Sequence, residues 1–539
     1  MKRSRWLAAA ACALLAIVAG APAASAQGSN GLEWKDCALV PDIVVQCAAQ
    51  TVPLDYDRPN GKTFDIAVAR VPAKDQAHKI GSLIFNLGGP GGSQVDFLQL
   101  GGGALFFDAL NEKYDIVGFD PRGTGQSTRA IDCKVNQETQ GPTSQPFPTP
   151  FNLDLPALLA KDQRYLHRCL VLNGADILSH VSTAETSRDM DVLRKAVGDQ
   201  KLTYFGYSYG TFLGATYAAL FPNRFRALVL DGPLDADEYL SDPLKGSNEQ
   251  TAAFERELSR FFRACAAHED QCLNVGQGDD PEDAYDALID RANATPIPAL
   301  GYTPDPRPVD GDDINAVAVI AMYAKQSWPF FAEVLAAADA NDGTLVRALV
   351  DEAFYGRDPD TGTFDPITDR FFAIYGAEAH WPSDIGTYVR EGEQAWGMFN
   401  HFYSNHGYTE LNFGLWPAKA RDAYDGPFHV KASAPTPLVV ATTYDPATPY
   451  RGALKLVRTL GNARLLTMRG DGHTAYGGNS PCIDDAVNAY LLEGDLPAPG
   501  TSCRQAVPFE QPPPAVAASA QGQARALGPW APYRRSILR

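Results

Sequence analysis

Ser208 stands in Gly206-Tyr207-Ser208-Tyr209-Gly210, a setting in which a hydroxyl can do chemistry. Serine is a poor nucleophile unless its oxygen is held clear of the backbone, beside a base and beside donors for a developing oxyanion. Aromatic and β-branched residues run into this pentapeptide, and Phe212 to Leu220 reads as a buried helix behind it. Gly206, Gly210 and Gly214 lack the side chains that would keep such a strand and helix apart. A base is supplied by His473 in Gly470-Asp471-Gly472-His473-Thr474, directly after a strand-like run. The chain has nine histidines, and His167, His268 and His401 fall in helical or irregular contexts where a surface role is the default. The acid that would orient His473 is Asp445, at the end of the apolar run from Pro437. Pro446 and Pro449 stiffen its loop, and Thr448 is placed to hydrogen-bond the carboxylate. Asp231 also ends a strand and is the alternative acid, while Asp471 reads as a turn residue.

These residue types define an acyl transfer. His473 takes the Ser208 proton, Asp445 holds the imidazole tautomer and stabilises its cation, and water releases the acyl-enzyme. The oxyanion is met by the Tyr209 N–H and by one from Gly88-Gly89-Pro90-Gly91-Gly92-Ser93, with Gly89 the chosen donor. That loop lacks the Gly-x-Gly-x-x-Gly spacing of a dinucleotide site, and Pro90 has no N–H to offer a phosphate, so no cofactor is expected. No Cys-x-x-Cys pair stands with histidine, and no metal site is expected.

The elements around these residues alternate. Phe64–Val71 has the period of a strand buried on one face, and the runs 81–87, 114–119, 202–207 and 227–231 are the near-continuous apolar strands of a sheet interior. Helical spacing of Met190, Leu193 and Val197 ends at Gly198. Residues 128–180 read as irregular, with a Pro- and Thr-rich surface excursion. From 236 to 426 helices such as Glu249–Ala267 and Asp312–Ala324 predominate, and strands return at 437–445 and 463–468, followed by a helix over Cys482–Leu492. Alternation of this kind predicts a mostly parallel sheet with helices on both faces, whose function gathers at the strands' C-terminal ends. With the chain order nucleophile, acid, histidine, it predicts the α/β-hydrolase fold. The expected divisions are a signal peptide over 1–26, the first part of the core over 27–235, a mainly helical cap over 236–426, the second part of the core over 427–508 and a Pro/Ala-rich tail over 509–539.

A net charge of −18 argues against nucleic acid or an anionic membrane as partner. Lys2, Arg3 and Arg5 precede an apolar run ending near Val18, and Ala24-Ser25-Ala26 supplies a cleavage site, so the chain is expected to be secreted, extracellular or periplasmic. Cys12 lies too early in the run for a lipoprotein signal. Nothing later is long and apolar enough to span a bilayer. The other eight of nine cysteines fit an oxidising compartment. Eight allow 105 connectivities; nearness in sequence suggests Cys37–Cys47, Cys133–Cys169, Cys265–Cys272 and Cys482–Cys503.

Asn86–Ser93, Gly118–Gly125, Gly206–Thr211 and Asp445-Pro446-Ala447-Thr448-Pro449 together resemble the secreted tripeptidyl aminopeptidases, relatives of the proline iminopeptidases, from about residue 33 to 505. The resemblance implies a serine exopeptidase acting on peptides with free N-termini, in which a cap closes the cleft and an acidic group holds the substrate ammonium. Glu378 is the candidate for that group, with an exposed surface acid as the alternative. Relatives often carry Ala-Ile-x-Cys-x-Asp where this chain has Ala373-Ile374-Tyr375-Gly376-Ala377-Glu378, and a second cysteine is missing near Trp416-Pro417. A lost disulfide and a reshaped cleft are expected. An ester hydrolase with the same three residues, or a non-catalytic binding protein on this scaffold, are the alternatives.

Overall fold

The computed structural model describes residues 31–268, 272 and 280–506; the expected signal peptide and the tail over 509–539 lie outside the described residues. Among the described residues ten strands form one sheet: β1 (Lys35–Asp36), β2 (Gln46–Pro53), β3 (Thr63–Val71), β4 (Gly81–Asn86), β5 (Tyr114–Phe119), β6 (Leu202–Tyr207), β7 (Phe225–Asp231), β8 (Leu438–Tyr444), β9 (Arg464–Asp471) and β10 (Ser502–Arg504). Their order is β1-β2-β3-β5-β4-β6-β7-β8-β9-β10. The pairs β1–β2, β2–β3 and β3–β5 are antiparallel, and every pair from β5 to β10 is parallel. Burial explains the division. In β4 to β7 nearly every residue is buried, because helices cover both faces. In β3 burial alternates, as its sequence period requires.

Residues 128–180 differ from expectation. They contain a helix, Leu155–Asn173, capped by the Asp154 side chain at the Ala157 N–H, with Leu158, Tyr165, Leu166 and Cys169 on its buried face. Pro156 near its start is compatible with a first turn, and the flanking Pro- and Thr-rich segment obscured the spacing. β1, β2 and β10 are further strands beyond those expected; β1 has only two residues and β10 three.

Between β7 and β8 the described residues add helices and two isolated bridges, Ile297–Val309 and Arg357–Phe364. They pack in two ways. Helices Pro243–Ala267, Gly311–Met322 and Trp328–Asp339 build a separate core around Phe261, Trp328 and Phe331, whereas Phe372, Trp381, Tyr388 and Trp416 join the core against the sheet. No described helix is long and apolar enough to cross a membrane.

Disulfides join Cys37–Cys47, Cys133–Cys169, Cys265–Cys272 and Cys482–Cys503. At Gly376 a Cβ would lie 2.9 Å from Trp416 Cγ, so the indole packs directly against the glycine. Buried charge joins the parts. Arg122 is fully buried, and its guanidinium forks onto Asp189 at 2.7 Å to each oxygen while donating to the carbonyls of Pro53, Leu54 and His180. Glu138, Asp305 and Asp351 converge, but Arg307, Arg347 and Arg357 pair with them, which makes this a clasp between the 134–140 segment and the insert.

Several carboxyls are buried with incomplete compensation. Burial pushes Asp120 up to about 6, Glu185 to about 8 and Asp365 to about 7. The native state therefore keeps protons that the unfolded chain releases near pH 4. Their contribution to stability is complete below that value and is lost as pH rises through 6 to 8. Thermal unfolding followed by circular dichroism is expected to show a midpoint that falls between about pH 5 and pH 8.

Candidate active site

Ser208 follows β6 directly and precedes helix Tyr209–Leu220, with φ 53° and ψ −124°. A side chain rarely adopts this conformation, and it holds only because the surroundings fix it. The strand and helix meet so closely that a Cβ on Gly206 would lie 2.2 Å from the Gly210 carbonyl oxygen, and one on Gly210 would lie 2.6 Å from the Asn86 carbonyl oxygen. Ser208 N donates to Asp231 O at 2.9 Å, and Thr211 closes the turn by donating to Ser208 O from both its N–H and its hydroxyl.

The Gly-rich loop lies against this turn. Gly88 and Gly89 have φ of +100° and +105°, and a Cβ on Gly88 would lie 2.7 Å from Ser208 Cβ and 3.2 Å from Tyr209 N. Tyr209 N belongs to the first helical turn and so has no acceptor within its helix. Asp120 anchors the far end of the loop, accepting from the Ser93 hydroxyl and from the N–H groups of Gln94, Val95 and Gln126.

Asp445 and His473 meet. The imidazole Nδ1 lies 2.9 Å from each carboxylate oxygen of Asp445, with both side chains buried. Asp445 also accepts from Ala447 N at 2.9 Å, Thr448 N at 2.8 Å, the Thr448 hydroxyl at 2.9 Å and Thr474 N at 3.3 Å. Asp231 serves another purpose: its carboxylate accepts from Ala475 N and Tyr476 N, and burial pushes it up to about 7. Asp471 is more than a turn residue, since Arg260 and Lys325 both pair with it.

Ser208, Tyr209 and Gly89 line a cavity of about 520 Å³. One wall is aromatic, with Tyr239 stacked on Tyr375 at 4.2 Å and Trp381 on Phe413 at 4.4 Å. Four carboxylates share the lining: Asp235, Glu238, Glu249 and Glu410. Lys455 pairs with Asp235 and Glu238, and Lys245 with Glu238 and Glu249. Glu410 accepts from Ser247 Oγ at 2.6 Å and Gly407 N at 2.8 Å, and among the described residues it has no lysine or arginine partner; His406 Nδ1 is 4.0 Å away. The cavity is thus left with uncompensated negative charge.

Glu378 is not an exposed acid. It is only 4% exposed, and burial pushes its carboxyl up to about 7. It accepts from Thr183 N at 2.8 Å, Thr183 Oγ1 at 2.9 Å and the Tyr239 hydroxyl at 3.3 Å, and Thr183 Oγ1 in turn bonds the Tyr209 hydroxyl at 2.5 Å. It stands behind the wall, holding two tyrosines that line the cavity rather than lining it itself. Glu410 and Tyr323, which meets His473 edge-on with ring centroids 5.6 Å apart, carried no signal in the sequence because neither lies in a motif.

A mostly parallel sheet with a serine on a strained strand-to-helix turn and a buried Asp–His pair beyond later strands defines an α/β-hydrolase. The family model described as alpha/beta hydrolase fold matches residues 81–270, and that described as TAP-like protein matches 402–503. Serine protease Hip1 of Mycobacterium tuberculosis is 32% identical over 92% of this chain and 97% of that protein. The tripeptidyl aminopeptidase of Streptomyces lividans is 31% identical, covering 90% of this chain and 89% of that protein. Carboxylesterase B of M. tuberculosis is 33% identical, covering 90% and 91%. The chain belongs to the TAP-like α/β-hydrolases and is a serine hydrolase.

Gly88→Ala tests the packing of the Gly-rich loop on Ser208. The new Cβ must displace the loop, so labelling of Ser208 by a fluorophosphonate probe is expected to slow by roughly tenfold or more, since misplacement near 1 Å has effects of that order.

Proposed function

We propose that the protein is an exported serine exopeptidase that releases short peptides, tripeptides foremost, from free N-termini. Ser208 attacks the scissile carbonyl, His473 takes its proton and later delivers it to the leaving amine, and Asp445 orients the imidazole. The N–H groups of Tyr209 and Gly89 stabilise the oxyanion. The observation that carries the peptidase reading is the Glu410 carboxylate, without a lysine or arginine partner among the described residues, in the cavity that Ser208 lines, a fitting partner for a substrate ammonium. The relatives named as a serine protease and a tripeptidyl aminopeptidase support it. The helical segment 236–426 acts as the cap, and its wall limits how much peptide enters. Four disulfides and the N-terminal segment support export.

A second reading, ester hydrolysis by the same residues, is favoured by the relative named carboxylesterase B. The two separate on three substrates: a free tripeptide anilide, its N-acetylated form and a short-chain nitrophenyl ester. The free peptide is expected to be cleaved fastest among the anilides, and faster cleavage of the blocked one would overturn the exopeptidase reading. Glu410→Gln is expected to raise KM for the free tripeptide by roughly tenfold and to leave the ester unaffected, as loss of a charge-assisted contact of about 1.5 kcal/mol predicts. Asp445→Asn should lower kcat by roughly 10⁴-fold. Asp231→Asn should have a far smaller effect, because the Asp231 carboxylate accepts from Ala475 N and Tyr476 N whereas His473 Nδ1 meets Asp445.

A further inference from the structure

The loop that carries His473 is gripped from the helical insert. Gly472 N donates to Glu257 Oε1 at 2.9 Å, and His473 N donates to Tyr323 O at 2.7 Å. The Tyr323 ring meets the imidazole edge-on, at an interplanar angle of 83°. Asp471 is bonded by Arg260 Nε at 2.5 Å and by Lys325 Nζ at 2.7 Å. Glu257, Arg260, Tyr323 and Lys325 all lie between β7 and β8, whereas the loop itself belongs to the sheet after β9. The fit is close: Gly472 has φ +90°, and a Cβ there would lie 3.0 Å from Tyr323 O.

Glu257 is the unusual member. It is fully buried, and among the described residues its Oε2 has no hydrogen-bond partner and its nearest cation, Arg260 Nε, is 3.9 Å away. Asp471 and Asp445 also act on it, both disfavouring its charge. A carboxylate is costly in such a place. Burial first, then the Asp471 charge, pushes the group up to about 9, so it is neutral at neutral pH. A neutral carboxyl still accepts through its carbonyl oxygen, which is what the Gly472 N–H requires. Its role is directional rather than ionic.

We propose that Glu257 is a positioning residue for the general base. Through the Gly472 N–H, and together with Tyr323, it fixes the His473 imidazole where it can take the Ser208 proton, so the base is completed only by the docked insert. The proposal rests on the assignment of Ser208, Asp445 and His473 above.

Glutamine at 257 keeps the acceptor, and leucine keeps the volume but removes it. Glu257→Gln is expected to retain kcat within about threefold. Glu257→Leu should lose roughly tenfold or more in kcat with KM within about twofold, and its fluorophosphonate labelling should slow in parallel. The acid limb of the kcat/KM profile should move in Glu257→Leu and stay in place in Glu257→Gln, a difference that general loosening of the fold would not produce. Wild-type kcat in Glu257→Leu, or equal impairment of both variants, overturns the proposal. Should Glu257→Leu not fold, the pair Arg260→Met and Lys325→Met, which releases the same loop at Asp471, is expected to lower kcat at constant KM; unchanged kcat overturns it. A wild-type enzyme that the probe does not label at Ser208 would instead overturn the site assignment itself.

Discussion

The whole site depends on a steric constraint: β6 and the helix that follows it must approach within a distance that no side chain permits. A Cβ on Gly206 would lie 2.2 Å from a backbone oxygen, and nothing there can yield. That approach forces Ser208 to a positive φ and lifts its side chain clear of the sheet. Everything else is arranged about this point. The Gly-rich loop can touch the serine because Gly88 has no side chain, and Asp120 holds the loop's far end by accepting four hydrogen-bonding groups around it. The turn and the loop act as one rigid piece.

Charge is handled in two contrasting ways. Some buried carboxylates are surrounded by donors: Asp445 receives backbone and hydroxyl hydrogen bonds besides the imidazole, and Asp189 receives the Arg122 fork. Where burial outweighs the donors, as at Glu257 and Glu378, the carboxyl is pushed toward its neutral form and serves as a directional hydrogen-bonding group. Glu257 and Glu378 both lie just behind the cavity, one against the histidine loop and the other against Tyr239 and Thr183. The side chains facing substrate are thus braced by groups that add little charge of their own. The negative field in the cavity comes instead from its lining, and chiefly from Glu410.

How far this was legible in the sequence follows from how local each signal is. The elbow, the parallel strands and the order of Ser208, Asp445 and His473 could be read because each rests on a few contiguous residues whose chemistry is restrictive. Helix Leu155–Asn173 was hidden by neighbouring proline and threonine, although its apolar spacing is regular once isolated. The segment between β7 and β8 read as one helical insert, yet half of it packs on its own core and half on the sheet, a division set by contacts hundreds of residues apart. Glu378 was found through a motif, but its depth was not, because burial is decided by Thr183 and Tyr239. Glu257, Tyr323 and Glu410 belong to no motif. Their importance lies in what they meet.

The two outermost strands have a further consequence. β1 has two residues and β10 three, and each is stapled: Cys37, just after β1, bonds Cys47 in β2, and Cys503 in β10 bonds Cys482 on the neighbouring helix. A ten-stranded sheet ordinarily exposes two rows of unpaired backbone groups, which are templates for strand addition by another molecule. Here β1 covers two residues of β2 and β10 three of β9, and both short edge strands are tied down covalently. Reduction would loosen both margins at once while leaving the Asp445–His473 pair untouched, so thiols should drive self-association before they affect chemistry. Oxidation therefore guards the colloidal stability of the protein more directly than its reactive centre.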